Sequence, residues 1–133
     1  ARHHRHRGAA GAARDAGVTR VVLTSSVASV MYGGFPGTKS PYTEDDWTDG
    51  TLATLTPYTR SKAQAEKAAW DFVRNEAPQI RLTAINPGLV LGEPLDARFG
   101  TSLEVVQRLL SAKDPAVPDI TFSIVDVRDI ARM

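Results

Sequence analysis

The chain has 133 residues, 42% of them hydrophobic, no cysteine and a formal net charge of +1 at pH 7. That size and composition suit one globular domain and exclude disulfides and thiolate-bound metals. No run of 18 apolar residues and no charged-then-apolar leader occurs, so the sequence predicts no membrane span or signal peptide and fits a cytoplasmic setting.

The charge is unevenly spread. Residues 1–20 hold five arginines against Asp15, whereas the remainder holds 11 basic and 14 acidic residues. Residues 1–7 carry no hydrophobic periodicity and read as a mobile basic tail. His3, His4 and His6 lack nearby carboxylate or thiolate partners, and no aromatic platform accompanies the arginines, so neither a metal site nor a specific nucleic-acid partner is expected. The Ala-rich stretch from Gly8 to Gly17 predicts a helix closed by Gly17. Gly8-x-x-Gly11 hints at a dinucleotide loop, but that fingerprint follows a strand, and residues 1–7 cannot form one. Residues 1–18 are therefore read as tail and helix, and residues 19–133 as the domain proper.

Thr19 to Ser25 is apolar and β-branched and predicts a buried strand ending in hydroxyls. A long loop to about Thr56 follows, a length usual for functional segments. Its Glu44, Asp45 and Asp46 point in different directions and read as helix-start charges or a solvated turn rather than metal ligands. Thr56 can cap a helix, Pro57 fits its first position, and the Ala-rich run predicts helix to about Glu76. Ala65, Ala68, Ala69 and Phe72 would pack on a sheet, with Trp47 and Trp70 as packing anchors. Ile80 to Asn86 predicts the next strand, so strand, helix and strand make one right-handed parallel unit. Pro87-Gly88 then turns the chain. A helix from about Ser102 to Ala112, a strand near Phe122 to Val125 and the start of another helix follow. Phe99, Leu103, Val106, Leu109 and Leu110 are assigned to the core, with substrate contact as the alternative for Phe99.

Chemistry gathers at three places. Tyr58 and Lys62 lie four apart and share one helix face. An ammonium beside a phenol favours the phenolate and so makes the phenol a better proton donor. Ser25 and Ser26 lie at the carboxyl end of a strand, where ligands sit in open α/β sheets, and a hydroxyl there can hydrogen-bond a reacting carbonyl oxygen. The spacing alone is weak, because a Lys four places after a Tyr is common by chance.

Taken together, Thr24-Ser25-Ser26, Tyr58-x-x-x-Lys62 and Asn86-Pro87-Gly88-Leu89-Val90-Leu91-Gly92 resemble the extended branch of the short-chain dehydrogenase/reductase superfamily. Tyr42 to Trp47, Ser61 to Trp70 and Ile124 to Ala131 are most similar to the dihydroflavonol-reductase-like and bacterial aldehyde reductases. The likeness runs from about Ala16 to the last residue, and the segment before Arg14 looks foreign to it. The resemblance implies a partial Rossmann-type doubly wound parallel sheet of α/β class. It implies Tyr58 as general acid in carbonyl reduction, Lys62 as its partner and ligand of the nicotinamide ribose, and Ser26 as polariser of the substrate oxygen. Ser25 would line the cofactor side, Pro87, Gly88, Leu89 and Val90 would flank the nicotinamide, and Thr101 and Ser102 would lie near the phosphates of NADP or NAD. It also implies that the adenosine- and pyrophosphate-binding half of the domain lies outside these residues.

Three readings follow. The first is an NAD(P)-dependent reductase of a small aldehyde or ketone, or dehydrogenase of the corresponding alcohol. The second is a sugar-nucleotide epimerase or dehydratase using the same triad, against which the Tyr42 to Trp47 segment argues. The third is a non-catalytic Rossmann fragment, whose exposed edge strand and apolar patches would favour homo-oligomers.

Overall fold

The computed structural model describes residues 3–32, 41–94, 100–111, 116, 119 and 121–133. The chain forms two compact units, residues 1–86 and residues 87–133.

The first unit contains α1 (His3–Asp15), β1 (Arg20–Thr24), α2 (Pro57–Glu76) and β2 (Arg81–Ile85). The strands are parallel and in register from Arg20 opposite Arg81 to Thr24 opposite Ile85. Such pairing requires a crossover, and α2 supplies it. Thr56 caps α2 by accepting from the Thr59 amide at 3.1 Å, and Pro57 takes the first helical position, where its missing N–H costs nothing. Gly17, with φ of 72°, ends α1. Its amide donates to the Arg14 carbonyl at 3.0 Å and the next, Val18, to Ala13 at 2.8 Å, the paired closure that a left-handed residue permits.

Residues 3–7, expected as part of a tail, are helical. The helix begins at His3, five residues before the Ala-rich run, and α1 packs along α2. The reason is apolar contact further along α1. Ala10, Phe72, Ala77 and Ile80 form the buried core, with Ala13, Val21 and Val73 packed against it. The Arg14 guanidinium also stands 5.5 Å from the centre of the Phe72 ring, within cation–π range. Once that face is buried, helix propagates back toward the terminus at little cost.

β1 is not buried on both faces as expected. Its residues alternate between half-buried and exposed, and Val22 is 60% exposed. A parallel sheet is normally covered on both sides, and helices within this unit cover one.

The second unit contains β3 (Leu89–Leu91), α3 (Thr101–Leu110), β4 (Ile124–Asp126) and α4 (Val127–Ile130). β3 pairs parallel with β4, with Leu89 opposite Ile124 and Leu91 opposite Asp126. The sequence reading missed β3, because three residues after Pro87-Gly88 carry too little pattern to separate a strand from a turn. α3 packs on β3. Core positions were over-assigned there, since none of α3 is buried and Leu109 and Leu110 are 50% and 82% exposed. Phe99 lies outside the described residues.

Candidate functional site

The carboxyl end of β1 gathers the polar side chains of the first unit. Ser25 extends the ladder, its amide donating to the Ile85 carbonyl at 2.8 Å, and Ser26 caps a 3-10 turn, Val27–Ser29. Both serines are buried. The Ser26 Oγ accepts from the Ala28 amide at 3.2 Å, which leaves the hydroxyl's own hydrogen to donate.

Tyr58 lies in the first turn of α2 and is 53% exposed. One turn on, the Lys62 Nζ stands 5.9 Å from the centre of the Tyr58 ring and donates to the Ser25 carbonyl at 3.4 Å. Lys62 thus spans the start of α2 and the end of β1. The structure brings Ser25, Tyr58 and Lys62 together, and Ser26 shares a peptide bond with Ser25.

The Ser25 hydroxyl is buried among other side chains of this unit. It donates to the Glu66 Oε2 at 2.5 Å and lies 3.0 Å from the Ser29 Oγ. Sequence reasoning missed Glu66 and Asn86. Glu66 accepts from the Asn86 Nδ2 at 2.7 Å, and the same amide donates to the Ser26 carbonyl at 3.1 Å. One signal for Glu66 was present: it continues the i, i+4 stripe of Tyr58 and Lys62 along α2.

Tyr32, Thr48, Gly50 and Leu52 are held beside this site. Thr48 is buried, donates to the Ala28 carbonyl at 2.7 Å and accepts from the Tyr32 amide at 3.2 Å. Arg60 of α2 donates to the carbonyls of Gly50 and Leu52. Trp47 is 41% exposed rather than a packing anchor, whereas Trp70 is half-buried and its indole donates to the Glu66 Oε1 at 3.4 Å. Residues 43–46 form the expected turn, with the Asp46 Oδ2 accepting from the Thr43 amide at 2.7 Å. Among the described residues no acidic, histidine or cysteine cluster could hold a metal.

In the second unit, Gly88 lies against Ser123, and a Cβ there would fall inside the van der Waals shell of the Ser123 carbonyl oxygen. Gly92 has φ of 150°, and its Cβ would meet the Val127 Cγ1 at 2.5 Å. The two glycines of Asn86-Pro87-Gly88-Leu89-Val90-Leu91-Gly92 therefore have packing reasons. Ser102 lies in the first turn of α3, whose cap, Gly100, offers no side chain, and Glu104 shares that turn.

The family model for the NAD dependent epimerase/dehydratase family matches residues 7–133. The chain belongs to this family. The match reaches back to Arg7, so residues 7–13 of the segment that looked foreign lie within it. A cinnamoyl-CoA reductase of Medicago truncatula is 35% identical over 122 residues, covering 90% of this chain and 36% of that protein. Vestitone reductase from alfalfa superposes with a TM-score of 0.81 at 27% identity, covering 96% of this chain and 42% of that one. The yeast methylglyoxal/isovaleraldehyde reductase Gre2, solved with NADPH, gives 0.71 at 34% identity, covering 86% and 38%. The chain thus spans less than half the length of these relatives. Their likeness places it in the dihydroflavonol-reductase-like group of extended short-chain dehydrogenases/reductases, with a partial Rossmann fold of α/β class. Among the described residues no helix is long and apolar enough to cross a membrane.

Proposed function

We propose that the whole protein is an NAD(P)-dependent oxidoreductase that reduces the carbonyl of a small aldehyde or ketone, with Tyr58 as proton donor. The observation that carries this reading is Lys62, placed between the Tyr58 ring and the Ser25 carbonyl at the carboxyl end of β1. The names of the relatives favour reduction over epimerisation, and the NADPH held by the yeast enzyme favours NADPH over NADH.

The donor set suits a nicotinamide ribose, since an ammonium has hydrogens beyond the one given to Ser25 and stands beside an exposed phenol. When bound, the nicotinamide supplies the hydride. Tyr58 gives its proton to the substrate oxygen as the carbonyl becomes an alcohol, with the Lys62 ammonium held beside its ring. Ser26 donates to the same oxygen and polarises the carbonyl. In the alcohol-to-carbonyl direction Tyr58 takes the proton back. By the family pattern, Pro87, Gly88, Leu89 and Val90 present main chain to the nicotinamide, and Ser102 is assigned to the phosphates. A cytoplasmic location and a homo-oligomer belong to the same reading, and cell fractionation and sedimentation would check them.

Turnover and NADPH titration calorimetry on the whole protein test the reading. Tyr58→Phe is expected to abolish turnover while changing NADPH affinity by less than about threefold. Turnover above about a tenth of the parent's would sink the acid role. Lys62→Ala is expected to lose both rate and affinity, and small effects on both would undo its double role.

A further inference from the structure

One buried titratable side chain takes no part in the proton chemistry above. Glu66 is 5% exposed, and its three partners, Ser25, Asn86 and Trp70, are all neutral donors. A carboxyl in such a place is an expensive choice if packing is its purpose, because an apolar side chain of similar volume needs no compensation for lost hydration. What the carboxyl adds is fixed geometry. The Ser25 hydroxyl and the Asn86 amide converge on one oxygen, Oε2, at 2.5 and 2.7 Å. Each of these partners is tied to the site. The Ser25 carbonyl accepts from Lys62, and the second hydrogen of the Asn86 amide goes to the Ser26 carbonyl.

We propose that Glu66 is a positioning residue for proton transfer. By holding Ser25 and Asn86, it sets the main chain that carries the Ser26 hydroxyl and the carbonyl against which Lys62 is held. The inference rests on the reductase reading. The substrate class is unchanged by it; the addition is a second layer that fixes the ends of β1 and β2 from within α2. Glu66 never touches the substrate.

Glu66→Gln tests this in the whole protein, because it keeps the volume but places an NH2 group against donors that need an acceptor. Misplacement of a reacting group by about 1 Å can cost about 100-fold in rate. The expected result is a kcat lower by roughly 10- to 100-fold, with KM for NADPH and for the carbonyl substrate within about threefold. A kcat within about twofold of the parent's, or a loss matched by the fraction of unfolded protein, overturns it. Ser25→Ala should give a smaller loss, and adding it to Glu66→Gln should cost little more, because both remove one connection. Full additivity would count against the inference. A readout independent of turnover is amide exchange in the present chain: in Glu66→Gln the Ser25 and Ser29 amides should exchange at least about tenfold faster, with the middle of α2 unchanged. Unchanged exchange at both overturns it as well. Tyr58→Phe run alongside separates the two failures. An active Tyr58→Phe sinks the reductase reading, and an inactive one beside a normal Glu66→Gln sinks only the inference.

Discussion

Gly88→Ala separates two reasons for one residue. The proposed function assigns Gly88 to the nicotinamide, whereas the structure gives it a packing reason that needs no cofactor. An added Cβ would overlap the Ser123 carbonyl oxygen and lie 3.1 Å from both the Ser123 carbonyl carbon and its Cβ. The obstruction is backbone, so no rotamer relieves it, and the segment leading into β4 must retreat by on the order of 1 Å. That retreat strains the Leu89 amide's bond to the Ser123 carbonyl, 2.8 Å in the parent, at the first step of the ladder joining β3 to β4. Overpacking of this kind costs about 1–3 kcal/mol and the lost hydrogen bond about 1 more, giving about 2–4 kcal/mol. Three-residue strands have little to absorb it. At about 1.4 kcal/mol per tenfold, amides of Leu89–Leu91 and Ile124–Asp126 should exchange roughly 30- to 700-fold faster, without any nucleotide present. Gly50→Ala is the control, since nothing lies within 4 Å of a Cβ there. Exchange in Gly88→Ala equal to that of the control, together with weakened NADPH binding, would refute the packing argument and leave Gly88 to the cofactor alone.

Phe72→Ala removes the centre of the core shared by α1, α2 and the approach to β2, and should cost about 3–5 kcal/mol. A urea midpoint that moves by less than about 1 kcal/mol of stability would mean that α1 is not packed there. The Asp126 carboxyl, which accepts from the Arg128 guanidinium and then the Arg128 amide, is held down at about 2 from an ordinary 3.8. Because its native value is the lower one, this contribution is complete above the unfolded value and is lost as pH falls through the native one. Protection from exchange in Ile124–Ile130, measured against the unstructured rate at each pH, should therefore fall between about pH 4 and pH 2, and Asp126→Asn should flatten that dependence; an equally steep profile in the variant would refute it.

The elements most legible in the sequence are those whose ends carry local chemistry. Thr56 and Pro57 open α2, Gly17 closes α1, and the β-branched run at Val21 and Val22 marks β1; each works through contacts a few residues apart. Residues 3–7 read as tail but are helical, because α1 contacts α2 some sixty residues away in the chain. Leu109 and Leu110 read as core but are exposed, because apolar character alone does not say which surfaces α3 meets. Val22 failed the same way: its type predicts burial, but burial needs a neighbour on that face of the sheet.

The candidate site divides along the same line. Tyr58 and Lys62 are legible because one helical turn links them, and Ser26 because a strand ends there. The structure adds what joins the three segments: a carboxyl on α2 receiving a hydroxyl from the end of β1 and an amide from the end of β2. Those contacts span 41 and 20 residues of sequence, so no local pattern encodes them. Glu66 is the fourth residue after Lys62, and on a solvated helix that spacing would read as a surface ion pair worth a few tenths of a kcal/mol. Burial changes its meaning. With no water to compete, the carboxyl must satisfy its oxygens from the strand ends, and in doing so it fixes the backbone on which Ser26 and the Lys62 contact depend.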